Sequence, residues 1–532
     1  MAARFALVLG LAAAACGPGH NSGASGDGGA ADGPFKPIDA FAGPYPDFPT
    51  TPIIDGGAPG NSGMLFGSAS GSAAAGGPCL VEPEPGTLYP NNWLRPRFTW
   101  VPAGGDNLFE LTLTAPNEVN PLVVYTTNTT YTMDGATWQL LAQHVVDAPI
   151  VVSVRGAVYD SASGTLTAGP DGGQLGTISI APAAAPGAIV YWTTSDGTLL
   201  RGFHIGDESV TDIATPAQAS TACIGCHSAT PDGKFVGFSA SANPGDGDPA
   251  TIGLLTSDGS ASAAPFISPS AQTLLARQDQ ELPVFSAAHW QAGDRVSVQM
   301  FPVNNQFEIT WTDLEASSTD EGVGWGVVAR TGDANGAAYA SFAHSSDTLL
   351  YVSAAGSIGA GVTVTDGDLA TVPYGARAGG TATPIAGANT TEYNEFYPTF
   401  SPDDRYVAFN RVPTGQSSYN DNQSELFAIP AAGGTPVRLA ANDPPSCSNQ
   451  ASPGVTNSWP KWSPGATDAN GKRYYWLTFS STRGAGNPQL YVTALVDDGT
   501  TLTTYPALYL WNQPATENNH TPAWDNFDVP IE

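Results

Sequence analysis

The sequence predicts an all-β chain: a fibronectin- or Ig-like β-sandwich followed by a six-bladed β-propeller. Three observations carry this. The 532 residues include 61 Gly and 45 Pro, with 12% charged residues, a composition poor in helix formers and rich in turn formers. From Cys79 to about Pro182, short bursts of alternating apolar and polar residues are broken by turns. Over the remaining two-thirds of the chain one unit recurs at near-constant spacing, as in repeat architectures.

The chain opens on an address. Met1 to Cys16 reads MAARFALVLGLAAAAC, with Arg4, an apolar run too short to span a bilayer, and small residues leading into the cysteine. It resembles the lipobox of bacterial lipoproteins, which implies cleavage before Cys16 and lipidation of its thiol. An ordinary secretory peptide is the alternative. Gly17 after the cysteine implies, by the same resemblance, the outer membrane. The expected location is the cell envelope, lipid-anchored at the periplasmic face of the outer membrane or at the cell surface. Residues 1–15 are then the signal peptide. Residues 16–78, rich in Gly, Ala, Ser and Pro, are expected as a disordered tether.

Residues 79–182 hold bursts such as RFTWV, LFELTLT and VVSVRGAVY. About seven strands in about 100 residues suit an Ig-like sandwich. The paired cysteines of immunoglobulin domains are missing, which favours the fibronectin-like version. The stretch is read as a spacer.

Residues 183–532 repeat a unit of aromatic residue, Ser/Pro/Asp turn, basic residue and alternating strand. It is clearest at YPTFSPDDRYVAFNR (397–411) and WPKWSPGATDANGKRYYWLTFSSTR (459–483). Marking each unit at Ala229, Trp290, Phe342, Phe400, Trp462 and Trp524 gives intervals of 61, 52, 58, 62 and 62. A period of this length, with four short strands per unit, means a propeller. The turn, and the patterns SELFAIP (424–430) and PQLYVTAL (488–495), resemble the TolB-like propellers. That resemblance implies architecture more than activity. The last mark has no room for three further strands, while residues 187–213 have strands and no mark. One blade is therefore expected from both ends of the domain, giving six blades.

One constellation carries chemistry. Cys223-Ile224-Gly225-Cys226-His227 is CxxCH, the spacing of a c-type haem attachment site. Two thiols reach two vinyl groups, and the next residue supplies the proximal imidazole. With five Cys and seven His in 532 positions, chance supplies such a motif roughly 0.0006 times. A redox disulfide lacks βαβ context here, and half a zinc site lacks its completing ligands. Aligning the turns places His227 opposite Pro398 and Pro522, at the start of a first strand, so one covalent haem c is expected at a mouth of the channel. His520 is the first candidate for the distal iron position and Met300 the second. His289 or an open position are further options. Cys79 and Cys447 are a candidate disulfide pair. The Asp-rich turn at 244–250 is read as solvated rather than as a calcium loop.

The charge is −30, from 48 acidic and 18 basic residues. It argues against nucleic acid and favours basic partners. The leading expectation is an exported, lipid-anchored monohaem electron carrier with a redox partner protein. The rival is a binding or scaffolding module, and an open-haem enzyme is the third reading. No small-molecule substrate is identified.

Overall fold

The computed structural model describes residues 43–68, 76–173, 175–195, 197–242, 250–355, 358, 363–484 and 486–530. The leader, Cys16 and much of the expected tether lie outside these residues, as does all but Ala250 of the turn at 244–250. The described chain falls within one compact unit, Phe41–Glu532. None of its helices is long and apolar enough to cross a membrane.

Order begins earlier than the composition suggests. The stretch 43–68 was expected as tether, yet Ile53–Ile54 pairs in parallel with Leu122–Thr126, and Phe48 is buried in the domain core. The tether boundary at residue 78 is corrected accordingly: a few apolar residues docked on a sheet edge offset the ordering cost of the polar residues between them.

Residues 79–180 form two sheets. Three strands run in the order Cys79–Glu82, Arg97–Val101, Thr130–Thr132, and the larger sheet is built on Leu122–Thr126, Leu108–Thr114, Ile150–Asp160 and Gly176–Ile180. The helix Gly135–His144 is capped by Asp134, whose carboxylate accepts from Thr137 N, and it buries Trp138 and Leu141 against the core. This is not a free-standing spacer. Its core runs without a break into Trp476, Leu490, Val492 and Trp524. Cys79 is bonded to Cys447 with the Cα atoms 5.8 Å apart. Arg483 Nη1 donates to buried Glu84 at 2.8 Å, and Trp511 Nε1 donates to the Arg95 carbonyl at 3.0 Å.

The rest of the chain is a β-propeller-like array of six small antiparallel sheets among the described residues. Their innermost strands are Asn519–Asp525, Cys223–Ala229, Glu281–Val284, Gly336–Phe342, Tyr393–Phe400 and Asn457–Trp462. Each touches the next, and the sixth touches the first, so the ring is closed. Closure uses both ends of the domain: Asn519–Asp525 pairs with Ala188–Thr193, with Trp524 opposite Ile189. The repeat marks sit at equivalent positions with one exception. Trp290 lies in the short helix Ala287–Gln291, and the residue equivalent to the other marks is Phe285, one past the strand Glu281–Val284. The spacing becomes 56 and 57 in place of 61 and 52. The helix is an insertion between the first and second strands of its sheet, which displaced the aromatic signal.

Candidate functional site

Each innermost strand carries a register shift where two residues face one on the neighbouring strand. In five of the six, the first residue of the bulge has positive φ: Leu282 (58°), Tyr339 (51°), Tyr397 (51°), Trp459 (60°) and Thr521 (49°). Bulges tolerate this conformation because the ladder is already interrupted there. Four of these residues precede proline, which has no N–H to lose. In the second sheet the bulge is Gly225-Cys226, and Cys226, its second residue, is the one that borders the axis. His227 stands where the other strands have Pro398 and Pro522, as the turn alignment predicts.

These six residues border a cavity of about 60 Å3 on the ring axis, together with Lys461 and the prolines. Tyr397 stacks on Trp459 with ring centroids 3.6 Å apart, and Tyr339 packs edge-on against Tyr397. The channel is largely filled by its own side chains. Burial pushes the Cys226 thiol up to about 12, with the Glu281 carboxylate adding to the rise, so it is held protonated. Burial lowers the Lys461 amine, and among the described residues no ion pair holds it. Sequence reasoning missed Lys461 and the Tyr339–Tyr397–Trp459 group. The signal was the residue pair just before each mark, aromatic-Pro in two units and Tyr-Ala in a third, which becomes legible only once the units are aligned.

His227 also borders this cavity. It is buried, and its Nε2 lies 3.0 Å from the Val190 carbonyl on the neighbouring sheet. Its Nδ1 is buried without a hydrogen bond of good geometry. Burial brings its pKa down to about 4. His520 is likewise brought to about 4 by burial, and then by the His227 charge. Its ring packs edge-on against Trp192 at 4.7 Å, and its Nδ1 is 2.9 Å from Thr521 Oγ1. His520 and His227 thus lie on the innermost strands of adjacent sheets. Met300 is fully buried in an apolar cluster with Val298, Ile309 and Trp311 and pairs across from Glu281 and Ile309. The placement of His289 is corrected: it sits on the inserted helix, not on a first strand, 2.7 Å from Asp294 and 3.0 Å from Asp347.

The residues as folded do not fit a haem ligated by His227. Its Nε2 is committed to a backbone carbonyl, and a 60 Å3 cavity is far below the roughly 300 Å3 at which cofactor pockets begin. No group of three or more His, Cys, Asp or Glu that could hold a metal occurs among the described residues. The thiols tell a different story. Cys223 and Cys226 are both free while Cys79 and Cys447 are bonded.

No known protein family matches the sequence, and no curated protein does. Among solved structures the chain is similar to Kuenenia stuttgartiensis hydrazine synthase, at 14% identity and TM-score 0.30 over 53% of this chain and 73% of that one. It is similar to a puromycin hydrolase at 13% identity and TM-score 0.29, over 68% of this chain and 53% of the other. A third is prolyl oligopeptidase B from Galerina marginata, at 10% identity and TM-score 0.28, over 59% and 48%. The propeller-like architecture rests on the strand pairing above, since such low scores assign nothing to this chain.

Proposed function

We propose that the chain is a six-bladed TolB-like propeller, fused to a fibronectin-like sandwich, that acts as a protein-binding platform in the cell envelope. The observation that carries this is the combination of a rigid seam and a filled axis. The sandwich and the last sheet share one core and a disulfide, while the channel is occupied by Tyr397, Trp459 and their neighbours. Such a body offers surfaces rather than a reaction chamber. The strand order, three strands against a sheet built from the fourth, third, sixth and seventh of the sandwich, supports the fibronectin-like reading. The net charge of −30 favours a basic partner. A pull-down with the full chain as bait tests this. One basic partner should be retained at physiological salt and lost at high salt, and Cys223→Ser with Cys226→Ser should leave capture unchanged. Capture that disappears in the double variant would overturn it.

The second reading is covalent haem c attachment with electron transfer to a redox partner, anchored by a lipid on Cys16. The two unpaired thiols of the CxxCH strand favour it. Cys223 and Cys226 would hold the group, and His227 would have to leave the Val190 carbonyl to serve as a ligand. The haem itself supplies one-electron transfer. Co-expression with haem-maturation machinery should give a covalently held Soret band that the double Ser variant abolishes. A colourless wild-type protein under those conditions removes this reading.

A further inference from the structure

A cleft of about 360 Å3 opens where the sandwich meets the sixth sheet, within the size range of small-ligand pockets, roughly 300–1,000 Å3. We infer that it is a saccharide-binding site, taking a neutral mono- or disaccharide; this rests on reading the chain as a binding module.

The charge of the cleft comes first. Its wall holds Glu82 and Glu84, and each is already paired. Arg97 Nη2 donates to Glu82 at 2.6 Å, and Arg483 Nη1 donates to Glu84 at 2.8 Å. In a chain of net charge −30 this is a locally balanced surface. A charged ligand would have to break one of these partly or wholly buried pairs, which is costly. The cleft therefore selects for a neutral molecule.

The hydrogen-bonding demand comes second. Gln450 Oε1 is buried at the wall with no donor. The Tyr509 hydroxyl donates to Gln489 Oε1 at 3.0 Å and also meets the Arg97 guanidinium. The paired carboxylates keep lone pairs that their guanidinium partners do not use. A ligand rich in O–H groups, which both donate and accept, meets the Gln450 Oε1 acceptor and the N–H groups beside it. Leaving such acceptors unpaired costs more than an average hydrogen bond gains.

The apolar surface comes third. The rings of Tyr491 and Tyr509 lie 5.3 Å apart and line the cleft. Arg97 lies over the Tyr509 ring at 5.2 Å, which fixes that ring in place. Flat aromatic faces beside hydrogen-bonding groups match the mixed C–H and O–H surface of a sugar ring. The far wall runs from Pro444 to Gln450 and is tethered through Cys447 to Cys79, so the disulfide holds the unpartnered Gln450 at the site.

Calorimetric titration of the full chain with glucose, galactose, N-acetylglucosamine, maltose and cellobiose tests the inference. At least one should bind with a Kd at or below about 1 mM. Gln450→Ala should weaken binding at least about tenfold. Val101→Trp changes a residue that lines the cleft and is half exposed at its rim. It should block binding without touching the core, so it decides the matter where Gln450→Ala perturbs the loop. Reduction of the Cys79–Cys447 bond should weaken binding as well. If none of the five sugars binds, or if binding survives both substitutions unchanged, the inference falls. Retention of a captured protein partner would then leave the platform reading standing.

Discussion

Replacing Arg483 by Met tests whether the seam is held by a buried charge pair. Arg483 is 6% exposed and Glu84 5%. The guanidinium donates to Glu84 at 2.8 Å, to Asn457 Oδ1 at 2.7 Å, to Ser481 Oγ at 3.0 Å and to the Ala441 carbonyl. Met fills much of the same volume but leaves the Glu84 carboxylate with one donor, Ala507 N at 3.2 Å. An orphaned buried charge of this kind costs about 3–5 kcal/mol. Burial already raises the Glu84 carboxyl above its ordinary value, and Arg483 is the main group opposing that rise. In the variant the rise is therefore larger. A carboxyl raised in the folded state binds more protons there than in the unfolded chain, so its stability contribution is present at low pH and is lost as pH climbs. The Arg483→Met deficit should thus be largest at pH 7 and shrink at pH 5. Urea unfolding followed by fluorescence of the 12 tryptophans at the two pH values reads both effects. Adding Glu84→Leu should recover at least half of the loss, because replacing both partners removes the uncompensated charge. A loss below about 1 kcal/mol, equal at the two pH values, would refute the buried-pair account.

His227 and His520 are each held at about 4 by burial, so the unfolded chain binds more protons than the folded one between about 6.5 and 4. Stability should fall as pH drops through that window, and NMR titration should show both rings neutral until about pH 4; titration near 6.5 would contradict their burial. Lys461 lines the axial cavity with no ion pair among the described residues, and desolvation lowers its amine, so Lys461→Met should leave thermal stability equal or higher at neutral pH; a drop of several degrees in Tm would refute this. Gly233 has φ +71°, and a Cβ there would lie 1.7 Å from the Asn526 carbonyl oxygen. Gly233→Asp, which imitates Asp404 in the equivalent turn, should therefore destabilise by more than about 1 kcal/mol, measured by chemical unfolding.

Much of the ring was legible because propeller units repeat locally. Phe342, Phe400, Trp462 and Trp524 are buried marks at one position per sheet, and the turn after each fixes the phase. Closure by residues 519–525 was legible from what each end lacked. The unit at 281–303 was misphased because an inserted helix brought its own tryptophan, and an aromatic mark alone cannot tell a strand from a helical turn. The docking of 43–68 was not legible, since it depends on a sheet edge that the segment meets only after folding. The site divides in the same way. The placement of His227 opposite the ring prolines followed from alignment. The contact of its ring with the Val190 carbonyl depends on how neighbouring sheets pack, and no local pattern records that.

The pairing of Asn519–Asp525 with Ala188–Thr193 also has a consequence for biosynthesis. A nascent chain that has made most of the ring still exposes the inner edge of its first sheet, because the strand that covers it, Asn519–Asp525, is made long after Ala188–Thr193. Any product truncated before residue 519 keeps that edge open, a ready target for proteases and a template for aggregation. The fold thus couples closure of the ring to synthesis of residues 519–525, whose strand shuts the circle.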